Sequence, residues 1–253
     1  MPSGTLRRCA LAWIVACAAA AAACGGGGLF RQQYEYEEEI YLQLDGAATA
    51  YINASVPALV ALRGVDLKVD PLARVDRDRI RALFSAPGVK VATPTYSRRH
   101  GRRFLHVRVE VANVRDLQRV APFSWSTYRF ERQGDVLAYR QAVGKATGRN
   151  VGDVGWTGDE MVRFKMHLPS EIPFNNSPKP TQRGNILEWE QTLKDRAAGV
   201  PLDIEVNLEP ESILQTTLLL FGGTIVAAAL TFAVVIWWVV RKGRKAEIAE
   251  SGS

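Results

Sequence analysis

Apolar positions along the chain follow three patterns. Two are unbroken runs: Cys9–Ala23 near the start and Thr216–Val240, 25 residues without a charge, near the end. Between them the rule is alternation, one apolar residue in two, which marks strands with one face buried. In YEYEEEIYLQL, Tyr36, Ile40, Leu42 and Leu44 share a face, while Glu35, Glu37, Glu39 and Gln43 take the other. Only Glu38 is out of phase, so a solvated strand face explains the acidic cluster better than cation binding. After Asp45-Gly46 a second strand puts Ala50, Ile52, Ala54 and Val56 inward. Both inward sets are even-numbered, so paired positions must sum to an even number. An odd-length loop with a left-handed Gly46 meets this condition, and a two-residue turn does not.

Further alternating segments are VKVATPTY, FLHVRVEV, SWSTYRFER, VLAYRQAV, EMVRFKMHL, NILEWEQTL and LDIEVNL, about nine strands in all. Leu105, Val107, Val109 and Val111 point inward, as do Val162, Phe164, Met166 and Leu168, and Leu202, Ile204, Val206 and Leu208. Short helices are predicted over Pro57–Arg63 and after Asp76, where Ile80, Leu83 and Phe84 share a face and Pro87-Gly88 ends the turn. The expected fold is α+β: a mainly antiparallel curved sheet or open barrel with two or three short helices, plus one C-terminal transmembrane helix.

Charge changes the reading of the two runs. The net charge is +6, but six basic and two acidic residues flank the runs, which leaves +2 for everything between. Basicity is therefore a topology signal rather than a nucleic-acid signal. Arg7-Arg8 followed by 15 apolar residues and a small-residue exit has the form of a secretory signal. The last run ends in Trp237-Trp238 and RKGRK, so these tryptophans with Arg241 and Lys242 are expected as membrane-interface anchors, with the basic side cytoplasmic. The organisation expected is a lipoprotein-type signal peptide over 1–23, a tether over 24–33, an extracytoplasmic domain over 34–212, a transmembrane helix over 214–240 and a cytoplasmic tail over 241–253.

All three cysteines lie in the leader region, at 9, 17 and 24. A disulfide framework would instead spread through the folded part. A lipidation site needs a small residue before the acylated cysteine. Cys24 has the better apolar stretch before it and four glycines after it, and is preferred. Cys17, within IVAC, fits better by letter, and cleavage without acylation is the third alternative.

Chemistry is sparse. His100, His106 and His167 lie apart with no downstream cysteine to join them, and HExxH and CxxC are absent. There is no GxSxG, and no serine of the domain has a neighbouring histidine. GKAT at 144–147 lacks the upstream glycine of a phosphate loop, since Tyr139 stands there. No catalytic residue, metal ligand or cofactor is expected. Two loops remain. SRRHGRR concentrates Arg98, Arg99, Arg102 and Arg103 at a hairpin tip, either as a solvated turn or as a contact for headgroups or anionic glycans. GKATGRNVGDVGWTGDE has five glycines, with Trp156 as either a plug of the domain's open end or a ligand rim.

The order of these features, with LDGAATAYINASVPAL and above all GNILEW at Gly184–Trp189, resembles the LppM-type domain of bacterial membrane-anchored lipoproteins. The resemblance covers about 30–240. It implies an envelope location and a curved sheet packed with helices, with a cavity for lipid or glycan, and carries no catalytic residues. One departure is Ala21 where a lipobox has leucine. The function expected is thus a non-enzymatic membrane-anchored envelope protein whose exported domain binds a lipid, glycan or protein partner and no nucleic acid. An envelope hydrolase is the alternative.

Overall fold

The computed structural model describes residues 34–211 and 213–250, with side chains over 34–211 and 218–238. The leader, its cysteines and the tether fall outside the described residues, as do the side chains of Arg241 and Lys242.

The first hairpin joins β1 (Tyr34–Leu42) to β2 (Ala48–Ser55). Its register pairs Tyr36 with Ala54 and Leu42 with Ala48, the even sums that the two apolar faces require. Five residues close it, and Gly46 sits at φ +89, a region that costs glycine nothing. Ser55 then caps α1 (Val56–Arg63), its hydroxyl accepting from Ala58 N at 3.1 Å. This helix buries Val56, Leu59, Val60 and Leu62. A second helix, α2 (Arg77–Phe84), is capped by Asp76 and buries Ile80 and Phe84.

The segment read as one strand, VKVATPTY, is two: β3 (Val89–Val91) and β4 (Thr95–Arg99), both pairing with β5 (Arg102–Val111). Pro94 lies in the break between them and has no N–H to give a ladder. Strands β6 (Ser126–Gln133) and β7 (Val136–Val143) form a tight hairpin. After the long loop come β8 (Met161–His167), the two-residue β9 (Phe174–Asn175) and β10 (Ile186–Thr192). A third short helix, α3 (Leu193–Ala198), precedes β11 (Leu202–Leu208).

Two curved, unclosed sheets result, within an α+β fold. The larger has seven strands in the order β10-β8-β1-β2-β5-β3, with β4 also on β5; the smaller runs β6-β7-β11-β9. Among the described strands all pairings are antiparallel except β1 with β8, which is parallel. A single core holds Tyr36, Ile52 and Val107 of the larger sheet, Tyr128, Tyr139 and Val206 of the smaller, and α1. The last helix, α4 (Ile213–Glu250), contains an apolar stretch, Leu218–Trp238, of 21 residues with mean hydropathy 2.4 and no buried share. At 1.5 Å per residue this stretch is about 31 Å long, enough to cross a membrane. Trp237 and Trp238 stand exposed at its end.

Candidate functional site: a rimmed cleft and a polar row

The alternation of β5, which turns Leu105 and Val107 toward the core, also shapes a cleft of about 810 Å³ beside α2, with the exposed strand β4 at its edge. Its floor is Val56 at the start of α1, Leu105 of β5 and Ile80 of α2, all buried, with Tyr96 of β4 half-exposed above them. Its walls carry Lys68, Arg74, Arg77, Arg79 and Arg103 against Asp66, Asp76 and Asp78, an excess of cations. Two of the three acids are engaged: Asp66 pairs with Arg79, and Asp76 accepts from Arg79 N at 2.9 Å. Arg103 is 6% exposed; its Nη2 donates to Ala73 O at 2.7 Å and to Pro71 O, while its buried Nε has no hydrogen-bond partner among the described residues. A basic rim over an apolar floor suits a ligand with one anionic and one greasy end.

The four hairpin arginines part company. His100 (φ +49) and Gly101 (φ +71) make a two-residue turn, so strand pairing runs through the arginines themselves, Arg98 opposite Arg103 and Arg99 opposite Arg102. Arg98 is exposed and donates to Pro71 O at 2.9 Å; Arg99 lies 4.0 Å over the Phe104 ring. Arg102 is buried, its Nη2 3.0 Å from the fully buried Glu35 carboxylate and its Nη1 2.9 Å from Val154 O. Trp156 is partly buried against the core and donates to the same Glu35 at 3.1 Å. Arg102, Glu35 and Trp156 thus fasten the glycine-rich loop to the larger sheet.

The outer face of that sheet carries a row that local motifs do not reveal. Register sets His106 opposite Asn53, Asn53 opposite Glu37, and Glu37 opposite Arg163. Ser97 Oγ lies 2.9 Å from His106 Nε2, His106 Nδ1 is 3.0 Å from Asn53 Oδ1, and Asn53 Nδ2 donates to Glu37 Oε1 at 3.1 Å. Arg163 holds the other Glu37 oxygen and stacks on Tyr34 at 3.7 Å. Burial, followed by the Arg99 charge, holds His106 below the ordinary histidine range. The expectation that no domain serine has a neighbouring histidine is therefore corrected: the partners are nine residues apart and meet across the β4–β5 hairpin. The signal was present, since the turn at His100-Gly101 puts Thr95 opposite His106 and Ser97 one step along the same face.

Glu37 and Glu39 face outward as read, but are paired rather than bare. Glu39 takes Lys165 Nζ at 3.0 Å and His167 Nε2 at 2.6 Å. Burial pushes the Glu39 carboxyl up, and these partners outweigh it to hold the group below its usual range. His167 also stacks on Tyr41 at 3.9 Å.

Among known proteins, no family model matches the chain and no curated protein matches it. The chain is similar to the folded domain of Mycobacterium tuberculosis LppM, solved by NMR, with a TM-score of 0.42 and 13% identity over 72% of this chain and 94% of that one. A likeness of that degree is distant, and no residue role passes from one chain to the other.

Proposed function

We propose that the chain is a single-pass, membrane-anchored bacterial envelope protein whose exported domain binds an amphipathic partner, a membrane lipid, in the cleft beside α2. The observation that carries this reading is the pairing of the Val56, Leu105 and Ile80 floor with the basic rim of Lys68, Arg74, Arg77, Arg79 and Arg103. The apolar stretch of α4 supports the anchor, and its basic end is read as cytoplasmic. On this reading the leader is removed in export, and acylation at Cys24 ties the other end of the domain to the same membrane. The LppM-type resemblance, with its envelope setting, agrees with this reading.

The test uses the full chain in detergent and a fluorescent phosphatidylglycerol analogue. Val75→Trp, which fills the cleft, is expected to abolish binding. Arg103→Gln is expected to weaken it about tenfold, ~1.4 kcal/mol. Wild-type affinity in both variants, or no binding by the wild type, overturns the reading. Retention of a glycan instead of lipid would redirect it to the second ligand class.

A further inference from the structure

We propose that Ser97, His106 and Asn53 form a hydrolytic relay on the outer face of the larger sheet, able to cleave carboxylic esters. The inference goes beyond the binding reading and departs from the non-enzymatic domain expected from sequence.

The argument runs from the charged end of the row inward. Arg163 donates to one oxygen of the Glu37 carboxylate, a group that can only accept. Asn53 must then turn its NH₂ toward Glu37, at 3.1 Å, which leaves its carbonyl oxygen facing His106 Nδ1. A carbonyl also only accepts, so Nδ1 carries the ring proton, and in the neutral ring Nε2 is bare. The hydroxyl of Ser97 therefore donates to Nε2, across 2.9 Å. A nucleophile, a base with the free nitrogen toward it, and a third group that fixes the tautomer are the parts acyl transfer requires. Burial and Arg99 keep the ring neutral at pH 7, as a base must be.

Access fits the role. Among the described strands β4 pairs only with β5, so its other edge is open, and alternate backbone N–H groups of an edge strand point outward. Arg99 stands exposed two residues along on the same face, its guanidinium over the ring of Phe104, the residue opposite Ser97, so a cation lies on the side of the sheet where negative charge would develop. Ser97 Oγ attacks the acyl carbon as its proton passes to His106 Nε2. The tetrahedral species collapses, the ester C–O bond breaks, and the alcohol leaves with that proton. Water then attacks the acyl-serine, His106 takes its proton, and Ser97 Oγ recovers it as the acid departs.

The test uses the full chain in detergent, with a fluorophosphonate probe and 4-nitrophenyl butyrate. Peptide mapping should place the fluorophosphonate on Ser97 in the wild type, a readout that needs no variant. Ser97→Ala and His106→Gln should each lower turnover at least 100-fold while unfolding at the wild-type temperature. Arg99→Gln removes a charge that depresses His106, so the acid limb of the pH–rate profile should move to higher pH. Asn53→Ala should change the ¹⁵N signature of the His106 ring from one tautomer to a mixture. Binding of the phosphatidylglycerol analogue is measured on the same Ser97→Ala and His106→Gln proteins, where it should stay at the wild-type level, so failure of the binding reading and failure of the relay are seen separately. A wild type that takes no label on Ser97, or turns over no faster than Ser97→Ala, overturns the relay.

Discussion

Replacing Tyr128 with phenylalanine should destabilise the protein much more at pH 8 than at pH 4. The reason is Glu38, the residue of β1 whose phase puts a carboxyl among core side chains. It is 1% exposed, and three donors reach it from both sheets. Tyr128 donates to Oε1 at 2.8 Å, Gln141 Nε2 to the same oxygen at 2.9 Å, and Tyr36 to Oε2 at 3.1 Å. Tyr139 in turn holds Gln141 by donating to its Oε1 at 2.8 Å. Burial raises the Glu38 pKa, and the hydrogen bonds from Tyr128, Gln141 and Tyr36 recover only part of the shift. A raised folded value means that ionisation costs stability: the cost is absent below the unfolded value and grows as pH rises toward the folded one. Tyr128→Phe removes a donor that favours the ionised form, so the folded value rises further and the loss deepens. One hydrogen bond to a charged group is worth about 1.5–3 kcal/mol, against about 0.5–1.5 for a neutral pair. For a domain of this size that is roughly 3–12 °C in Tm on the alkaline side and clearly less on the acid side. Thermal unfolding of the full chain in detergent, followed by tryptophan fluorescence, reads the difference. Glu38→Gln keeps the shape and removes the titration, so in that background Tyr128→Phe should cost the same at both pH values. A pH-independent effect in the wild-type background, or a larger one at pH 4, would refute the reasoning.

Arg102→Ala should cost about 3–5 kcal/mol, because it strips the guanidinium from a carboxylate that is wholly buried, whereas Arg98→Ala at the exposed neighbouring position should cost ~0.5 kcal/mol or less; chemical denaturation separates the two, and equal losses would contradict the different placement of the hairpin arginines. Membrane sidedness can be read with an impermeant maleimide on intact cells, using the cysteine-free domain as background: Asp135→Cys in the β6–β7 turn should label directly and Ser251→Cys only after permeabilisation, the reverse pattern inverting the topology.

Period-two alternation made most of the sheet legible, because inward residues of β1, β2, β5, β8 and β11 declare themselves one strand at a time. The parity of the first hairpin was legible for the same reason. Contacts that need strand order were not. Glu35 meets Arg102 only because β1, β2 and β5 lie side by side, 67 residues apart along the chain. The parallel pairing of β1 with β8 has no turn to announce it, yet its trace is in the letters. Odd-numbered Glu37 and Glu39 meet odd-numbered Arg163, Lys165 and His167, so opposite charges alternate in step on two distant strands. An acidic strand face is therefore better compared with every basic strand face in the chain before it is assigned to solvent. The same comparison across one hairpin would have joined Ser97 to His106. What no pattern of letters supplies is the orientation of the Asn53 amide. That depends on Glu37 being held by Arg163, a fact of three strands at once, and on it rests which nitrogen of His106 is free to act.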